Sequence, residues 1–243
     1  MIRVVNLFYH YDGVPDCIRG ISLDIGDGVH TALIGPNGCG KTTFIKHLNA
    51  LLFPRAGTVC VDGMMTTDAA CVREIRRRVG MVFQNPDSQI VGMTVEEDVA
   101  FGPGNLALPS EEIRRRVDEC LAMVGMSGFE KRAPHTLSGG EKRLLSIAGV
   151  LAMNPCYIAF DEPTAYLDPA GKQRVLEIIR QLNRTGMAII HIAHDMRDVA
   201  EADRVVVMDR GRVLLTGTPA EVFEKADRLI AVGLDGIPGG YGP

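Results

Sequence analysis

The chain's 243 residues are enough for one large domain or two small ones. Hydrophobic residues make up 46% and aromatic residues only 5%, so a sizeable aliphatic core is available and a disordered chain is excluded. A net charge of −4 argues against a general nucleic-acid surface, and no stretch approaches the roughly 18 uninterrupted apolar residues of a spanning helix. Any membrane role must therefore come through partners. Cysteines fall at 17, 39, 60, 71, 120 and 156 with no C-x-x-C pair. Without a signal peptide either, the chain reads as cytosolic and reduced.

Residues 2–8 and 18–25 read as short strands, the second alternating apolar and polar through Ile21-Ser22-Leu23-Asp24-Ile25. Residues 57–63 are a further strand closing on a turn, and a mostly antiparallel flanking sheet is the simplest assembly. Residues 30–34 read as a buried strand, a glycine-rich loop follows, and Thr43 to Leu48 form a helix. Residues 79–84 are a buried strand ending at Gln84. The signals from 85 to 154 are then almost wholly helical. Ser110 is expected to cap a helix with Glu111 and Glu112 in its first turn and Ile113, Val117, Leu121 and Val124 on one stripe. Ser138 opens a second, with Leu144, Leu145, Ile147, Ala148 and Leu151 on its buried side. Arg76-Arg77-Arg78 and Arg114-Arg115-Arg116 sit in helical stretches and read as solvated faces.

The core then resumes. Residues 156–160 are continuously apolar, as in a parallel strand covered on both faces. Asp168-Pro169 starts a helix that turns Val175, Ile178, Ile179 and Leu182 inward. Residues 187–192 are the next buried strand, and 205–208 with 213–216 a hairpin. Thr218-Pro219-Ala220-Glu221 is a capping box, and residues 239–243 are expected to fray.

Chemistry concentrates in three places. Gly35-Pro36-Asn37-Gly38-Cys39-Gly40-Lys41-Thr42 matches G-x-x-x-x-G-K-[ST]. Its glycines let successive N–H groups surround a phosphate chain, Lys41 adds a point charge, and Thr42 offers a hydroxyl to Mg²⁺. The helix leaving the loop, which begins with Thr43, aims its positive dipole end at the same phosphates. Asp161 and Glu162 end an apolar strand whose carboxyl end should face that loop. Asp161 can hold Mg²⁺ while Glu162 addresses a water in line with the γ-phosphate. Third, Leu137-Ser138-Gly139-Gly140-Glu141 is another helix N-terminus preceded by a hydroxyl and glycines. One triphosphate needs one cradle, so this element can close on a nucleotide held by another subunit. An ordinary Ser-capped helix is the reading that the five residues alone favour.

Together these segments resemble the nucleotide-binding subunit of ATP-binding cassette (ABC) transporters over nearly the whole chain. Leu137–Glu141 looks like that family's signature sequence, and Gly35 to Thr42 and Cys156 to Glu162 look like its Walker A and B segments. Gln84 resembles the Q-loop glutamine that contacts Mg²⁺, Ala165-Tyr166-Leu167-Asp168 the D-loop, and His194 the switch histidine that contacts the γ-phosphate. Tyr11 resembles the aromatic that stacks on adenine, although Phe8 and Tyr9 lie beside it. His30 and His191 read as core. Cys39 stands where the family often has Ser.

The resemblance implies an α/β fold: a P-loop NTPase core of ABC ATPase type (1–84 and 155–218) with an antiparallel flank. A helical subdomain (85–154) is inserted, and 219–243 form a C-terminal extension. It also implies ATP and Mg²⁺ sandwiched between two ATPase subunits. A narrower resemblance runs through Gln84-Asn85-Pro86-Asp87-Ser88-Gln89 and Thr94-Val95-Glu96-Glu97-Asp98-Val99-Ala100-Phe101-Gly102-Pro103. These look like the ATPases of energy-coupling factor (ECF) transporters, which power uptake of vitamins or of cobalt and nickel ions. The implied partners are a homo- or heterodimeric ATPase mate, a transmembrane scaffold protein and a membrane substrate-capture protein, with no nucleic acid. The implied location is the cytoplasmic side of the cell membrane, peripherally bound. The alternatives are another ABC transporter's ATPase, or a non-transport ABC ATPase acting on DNA or ribosomes.

Overall fold

The computed structural model describes residues 1–13, 16–193 and 195–234. The chain begins with β1 (Ile2–Tyr9), β2 (Ile18–Ile25), β3 (His30–Ile34) and α1 (Lys41–Leu48). Next come β4 (Ala56–Val61), β5 (Met64–Met65), α2 (Val72–Arg78) and β6 (Val79–Val82). Three helices follow: α3 (Val95–Asn105), α4 (Ser110–Met123) and α5 (Gly139–Leu151). The remainder is β7 (Tyr157–Phe160), α6 (Pro169–Arg184), β8 (Ala188–Ile192), β9 (Arg204–Asp209), β10 (Arg212–Gly217), α7 (Pro219–Phe223) and α8 (Ala226–Ile230). Residues 239–243, expected to fray, lie outside the described residues. Among those described, no helix is long and apolar enough to cross a membrane.

Two sheets form. One is antiparallel, in the order β2-β1-β4-β5, and the other runs β10-β9-β3-β8-β7-β6. In the second sheet every neighbouring pair is parallel except β9 with β10. Alternation along its strands assigns their side chains to opposite faces. Tyr157 and Ala159 of β7, with Ala188, Ile190 and Ile192 of β8, join the core shared with the antiparallel sheet and α1. Ile158, Phe160 and Ile189 point the other way, into the core built by α3, α4, α5 and α6. On β3 and β9, Ala32, Ile34, Val205 and Val207 enter a third core with Val222 and Leu229. Both faces are thus covered, which is why β3, β7 and β8 are wholly buried and read as apolar runs.

Helix ends follow their local chemistry. Asp168 caps α6 by accepting from the Gly171 amide at 3.0 Å, and Thr218 and Glu221 form the box that opens α7. The expectation for Ser110 needs correction. It is the first residue of α4 rather than its cap, and Pro109 takes the cap position with no side-chain hydrogen bond. The extended backbone that proline holds there (φ −58°, ψ 145°) brings the chain into the helix one residue earlier. The arginine runs are partnered at the surface: Arg77 and Arg78 on Glu74, Arg115 and Arg116 on Glu112.

His191 and His30 are core residues, as expected. Their rings stack at 5.9 Å, and both nitrogens of His191 are buried without a partner among the described residues. Burial, the largest cause, holds the His191 imidazole down at about 3 against an ordinary 6.5. The unfolded chain takes up a proton below about 6.5 whereas the fold refuses it until about 3. Stability is therefore expected to fall with acidification through that window, by up to about 1.4 kcal/mol per pH unit from this group. Urea unfolding of His191→Leu should show a shallower decline between pH 6.5 and 5 than the parent. Coincident slopes would remove His191 as the source.

Candidate functional site

Because β3, β6, β7 and β8 run parallel, their carboxyl ends share one edge of the sheet, where ligands of such folds bind. The loop after β3 turns sharply into α1. Gly38 (φ +76°) and Gly40 (φ +106°) hold left-handed backbone, and a Cβ on Gly40 would lie 2.6 Å from the Cys17 carbonyl oxygen. Gly40 is also the cap of α1 and has no side chain to satisfy the first amides, leaving them for an anion. Around the loop, Gly35 is buried, Pro36 half-buried, and Asn37 and Gly38 exposed at the tip. The Cys39 thiol turns inward, 3.9 Å from Lys41 Nζ, and burial pushes it up. Lys41 is itself buried, and its ammonium crosses the loop to donate to the carbonyls of Gly35 (2.7 Å) and Pro36 (3.0 Å).

One contact ties the loop to the acids, and a second ties the turn after β6 to them. Thr42 Oγ1 donates to Asp161 Oδ1 at 2.8 Å, and Gln84 Nε2 donates to Glu162 Oε2 at 2.6 Å. Asp161 is only 4% exposed. Burial raises its carboxyl above the ordinary range, and the negative Glu162 adds to this, while the Thr42 hydroxyl and the charges of Lys46 and Lys41 oppose it. Glu162 sits in left-handed backbone (φ +49°), a strained conformation for a side-chain-bearing residue. The two neighbouring acids thus have different partners.

Tyr11 is the aromatic placed beside this edge. Its hydroxyl is 3.3 Å from Thr43 Oγ1 on α1, and the residue is 39% exposed. Tyr9, the rival, is buried edge-on between Tyr11 (5.0 Å) and His47 (4.7 Å).

Ser138, Gly139, Gly140 and Glu141 lie elsewhere. Ser138 caps α5 by accepting from the Glu141 amide at 3.3 Å, and Glu141 accepts from the Ser138 amide at 2.7 Å. A Cβ on Gly139 or Gly140 would meet nothing within 4 Å. Among the described residues, no hydrogen bond or ion pair links this turn to the Gly35–Thr43 segment. His194 lies outside the described residues. Its neighbour Asp195 accepts from Lys172 Nζ at 3.0 Å, and Lys172 also pairs with Asp198 at 2.9 Å. Sequence reasoning missed Lys172 and, on α5, Arg143. The second had a signal: Arg143 is four residues before Ile147 and eight before Leu151, on the helix's buried stripe.

A parallel sheet with a glycine-lined phosphate loop at its carboxyl edge and paired acids beyond it defines a P-loop ATPase. Comparison with known proteins makes the assignment specific: residues 18–165 match the ABC transporter family profile, and the chain belongs to that family. It is 55% identical to the cobalt import ATP-binding protein CbiO of Syntrophus aciditrophicus over 98% of this chain and 85% of that protein. It is 57% identical to the energy-coupling factor transporter ATP-binding protein EcfA1 of Symbiobacterium thermophilum, over 90% of this chain and 76% of that one. Among solved structures, CbiO1 of Clostridium perfringens, described as part of the complex CbiONQ, superposes with a TM-score of 0.85 at 37% identity. That match covers 96% of this chain and 94% of CbiO1. The cassette MJ0796, a dimer bound to ADP and Pi, superposes at 0.81 with 28% identity, covering 90% and 99%. The chain is thus an ATP-binding ABC ATPase, most like the ATPases of energy-coupling factor transporters.

Proposed function

We propose that this chain hydrolyses ATP with Mg²⁺ to power ECF-type import of a micronutrient, a cobalt or nickel ion or a vitamin. The observation that carries the catalytic half is the pair of contacts Thr42–Asp161 and Gln84–Glu162, which link the phosphate loop and the turn after β6 to the two acids. A hydroxyl and a carboxylate oxygen 2.8 Å apart are a hard-oxygen donor set of the kind Mg²⁺ takes, and a divalent charge would offset the cost of a buried Asp161 carboxylate. Gln84 would reach the same ion. When bound, the metal neutralises charge on the β- and γ-phosphates.

The chain's own residues do the rest. Lys41, released from two loop carbonyls, and the first amides of α1 hold the phosphates, with Gly35, Pro36, Asn37, Gly38, Cys39, Gly40 and Thr43 as the surrounding loop. Tyr11 offers a ring face to adenine. Glu162 accepts the proton of the attacking water as its oxygen bonds to the γ-phosphorus and the bond to the ADP oxygen breaks. His194 steadies the γ-phosphate. The open Ser138–Glu141 turn completes the site of a second ATPase subunit, whether a copy of this chain or a related one. Residues 85–154 act as the helical arm that carries this turn, and 219–243 as a C-terminal extension.

Support for a membrane partner comes from a set of exposed apolar side chains. Leu51, Phe53, Val91, Met93 and Phe101 are exposed, and a groove of 290 Å³ runs beside Leu51, Val91 and Phe101. Met93 is 80% exposed, which an apolar side chain does not require of a surface that stays in water. A cytoplasmic segment of a transmembrane scaffold would cover it and place the chain peripherally on that side of the cell membrane. A substrate-capture protein would be reached through that scaffold.

Glu162→Gln is expected to slow ATP turnover on the order of 10²–10⁴-fold while ATP still binds, read by phosphate release and by nucleotide titration. Undiminished release would remove Glu162 from its role. Met93→Asp with Phe101→Asp should abolish co-purification with integral membrane proteins and leave hydrolysis by the free chain intact. Co-purification with ribosomes or DNA instead would contradict transport.

A further inference from the structure

Helix α5 buries a cation where an apolar residue would pack. Arg143 is 1% exposed, on the same side as Ile147 and Leu151. Nη1 donates to the carbonyl of Phe83 and Nη2 to that of Gln84. Nε is buried with no partner among the described residues, and the Asp161 charge acts on the guanidinium favourably. Burying a guanidinium without a paired carboxylate is costly, and a Met or Leu would fill the space without that cost. What the arginine adds is a two-pronged hold on consecutive carbonyls just beyond β6.

That segment is pinned from its other side as well. Gln89 accepts from the Phe83 amide at 3.0 Å and donates to the Met81 carbonyl at 3.1 Å. Lys142, the next residue back on α5, pairs with Asp87 at 2.7 Å. Two adjacent cations of one helix therefore grip the turn that carries Gln84, whose side chain reaches Glu162. The same helix is opened by Ser138, one turn earlier.

We propose that Arg143 is a positioning residue that ties the aim of Gln84 to the helix opened by Ser138, so that a displacement of α5 reaches the water-activating acid. The inference rests on the roles given above to Gln84 and Glu162. A docked second subunit would thus act on two sites through one helix: its nucleotide at the N-terminus, and this chain's own glutamine one turn further in.

The test is steady-state hydrolysis by the purified full chain in Gln84→Ala, Arg143→Met, Arg143→Lys and the double variant Gln84→Ala/Arg143→Met, with thermal unfolding recorded for each. Arg143→Met is expected to lower kcat about tenfold with the KM for ATP within about twofold, and Arg143→Lys to recover part of the loss through one carbonyl. The double variant should be no slower than Gln84→Ala alone, because both changes break one linkage. Wild-type kcat in Arg143→Met, or losses that multiply in the double variant, would overturn the inference. Wild-type turnover in Gln84→Ala would overturn the reading of Gln84 and the inference with it. Should Arg143→Met fail to fold, Arg143→Lys with and without Gln84→Ala reads the same coupling.

Discussion

One hydrogen bond, from Thr42 to Asp161, joins residues 119 apart in sequence, and the rest of the site is arranged about it. It spans strands that are not neighbours, since β8 lies between β3 and β7. Only a parallel sheet brings the loop after one strand and the acids after the other to a common edge. The bond also offsets part of the cost of keeping a carboxylate 4% exposed. A buried acid beside a hydroxyl, with a buried lysine near, is a poor arrangement for stability alone and a good one for receiving a divalent cation and phosphates.

The buried polar groups divide by what they touch. His30 and His191 stack on each other within the sheet and are held neutral by burial. Lys41, Asp161 and Arg143 instead hold partners that can be exchanged or moved: loop carbonyls, a hydroxyl, and the carbonyls beyond β6. Ser138 and Glu141 are the reverse case. They bond each other in the capping box, Glu141 also pairs with Arg132, and the adjoining glycines stay open, with no partner from the nucleotide loop among the described residues. A capped helix start with open glycines is suited to meeting another molecule rather than its own loop.

Much of this was legible in the sequence because local rules carried it. The strand 18–25, the helix start at Ser138, the capping box at Thr218 and the inward faces of α5 and α6 depend on periodicity and on residues three apart. Where a longer-range choice decided, the sequence was mute. Residues 2–8 read as one strand, yet β1 carries an irregularity between Val4 and Leu7, with Asn6 at φ +48°. Nothing in Phe8-Tyr9-His10-Tyr11 says that Tyr9 goes inward onto His47 and Tyr11 stays out beside Thr43. Arg143 hid inside an apolar stripe because its partners are main-chain carbonyls, which leave no residue signature.

The central claim is that Thr42 and Asp161 form the place where a metal meets the phosphates. It is tested most directly by measuring ATP affinity with and without Mg²⁺ on the parent chain, Thr42→Val and Asp161→Asn. Mg²⁺ should tighten binding to the parent by about tenfold or more and give neither variant a comparable gain. An equal gain in all three proteins would contradict the account.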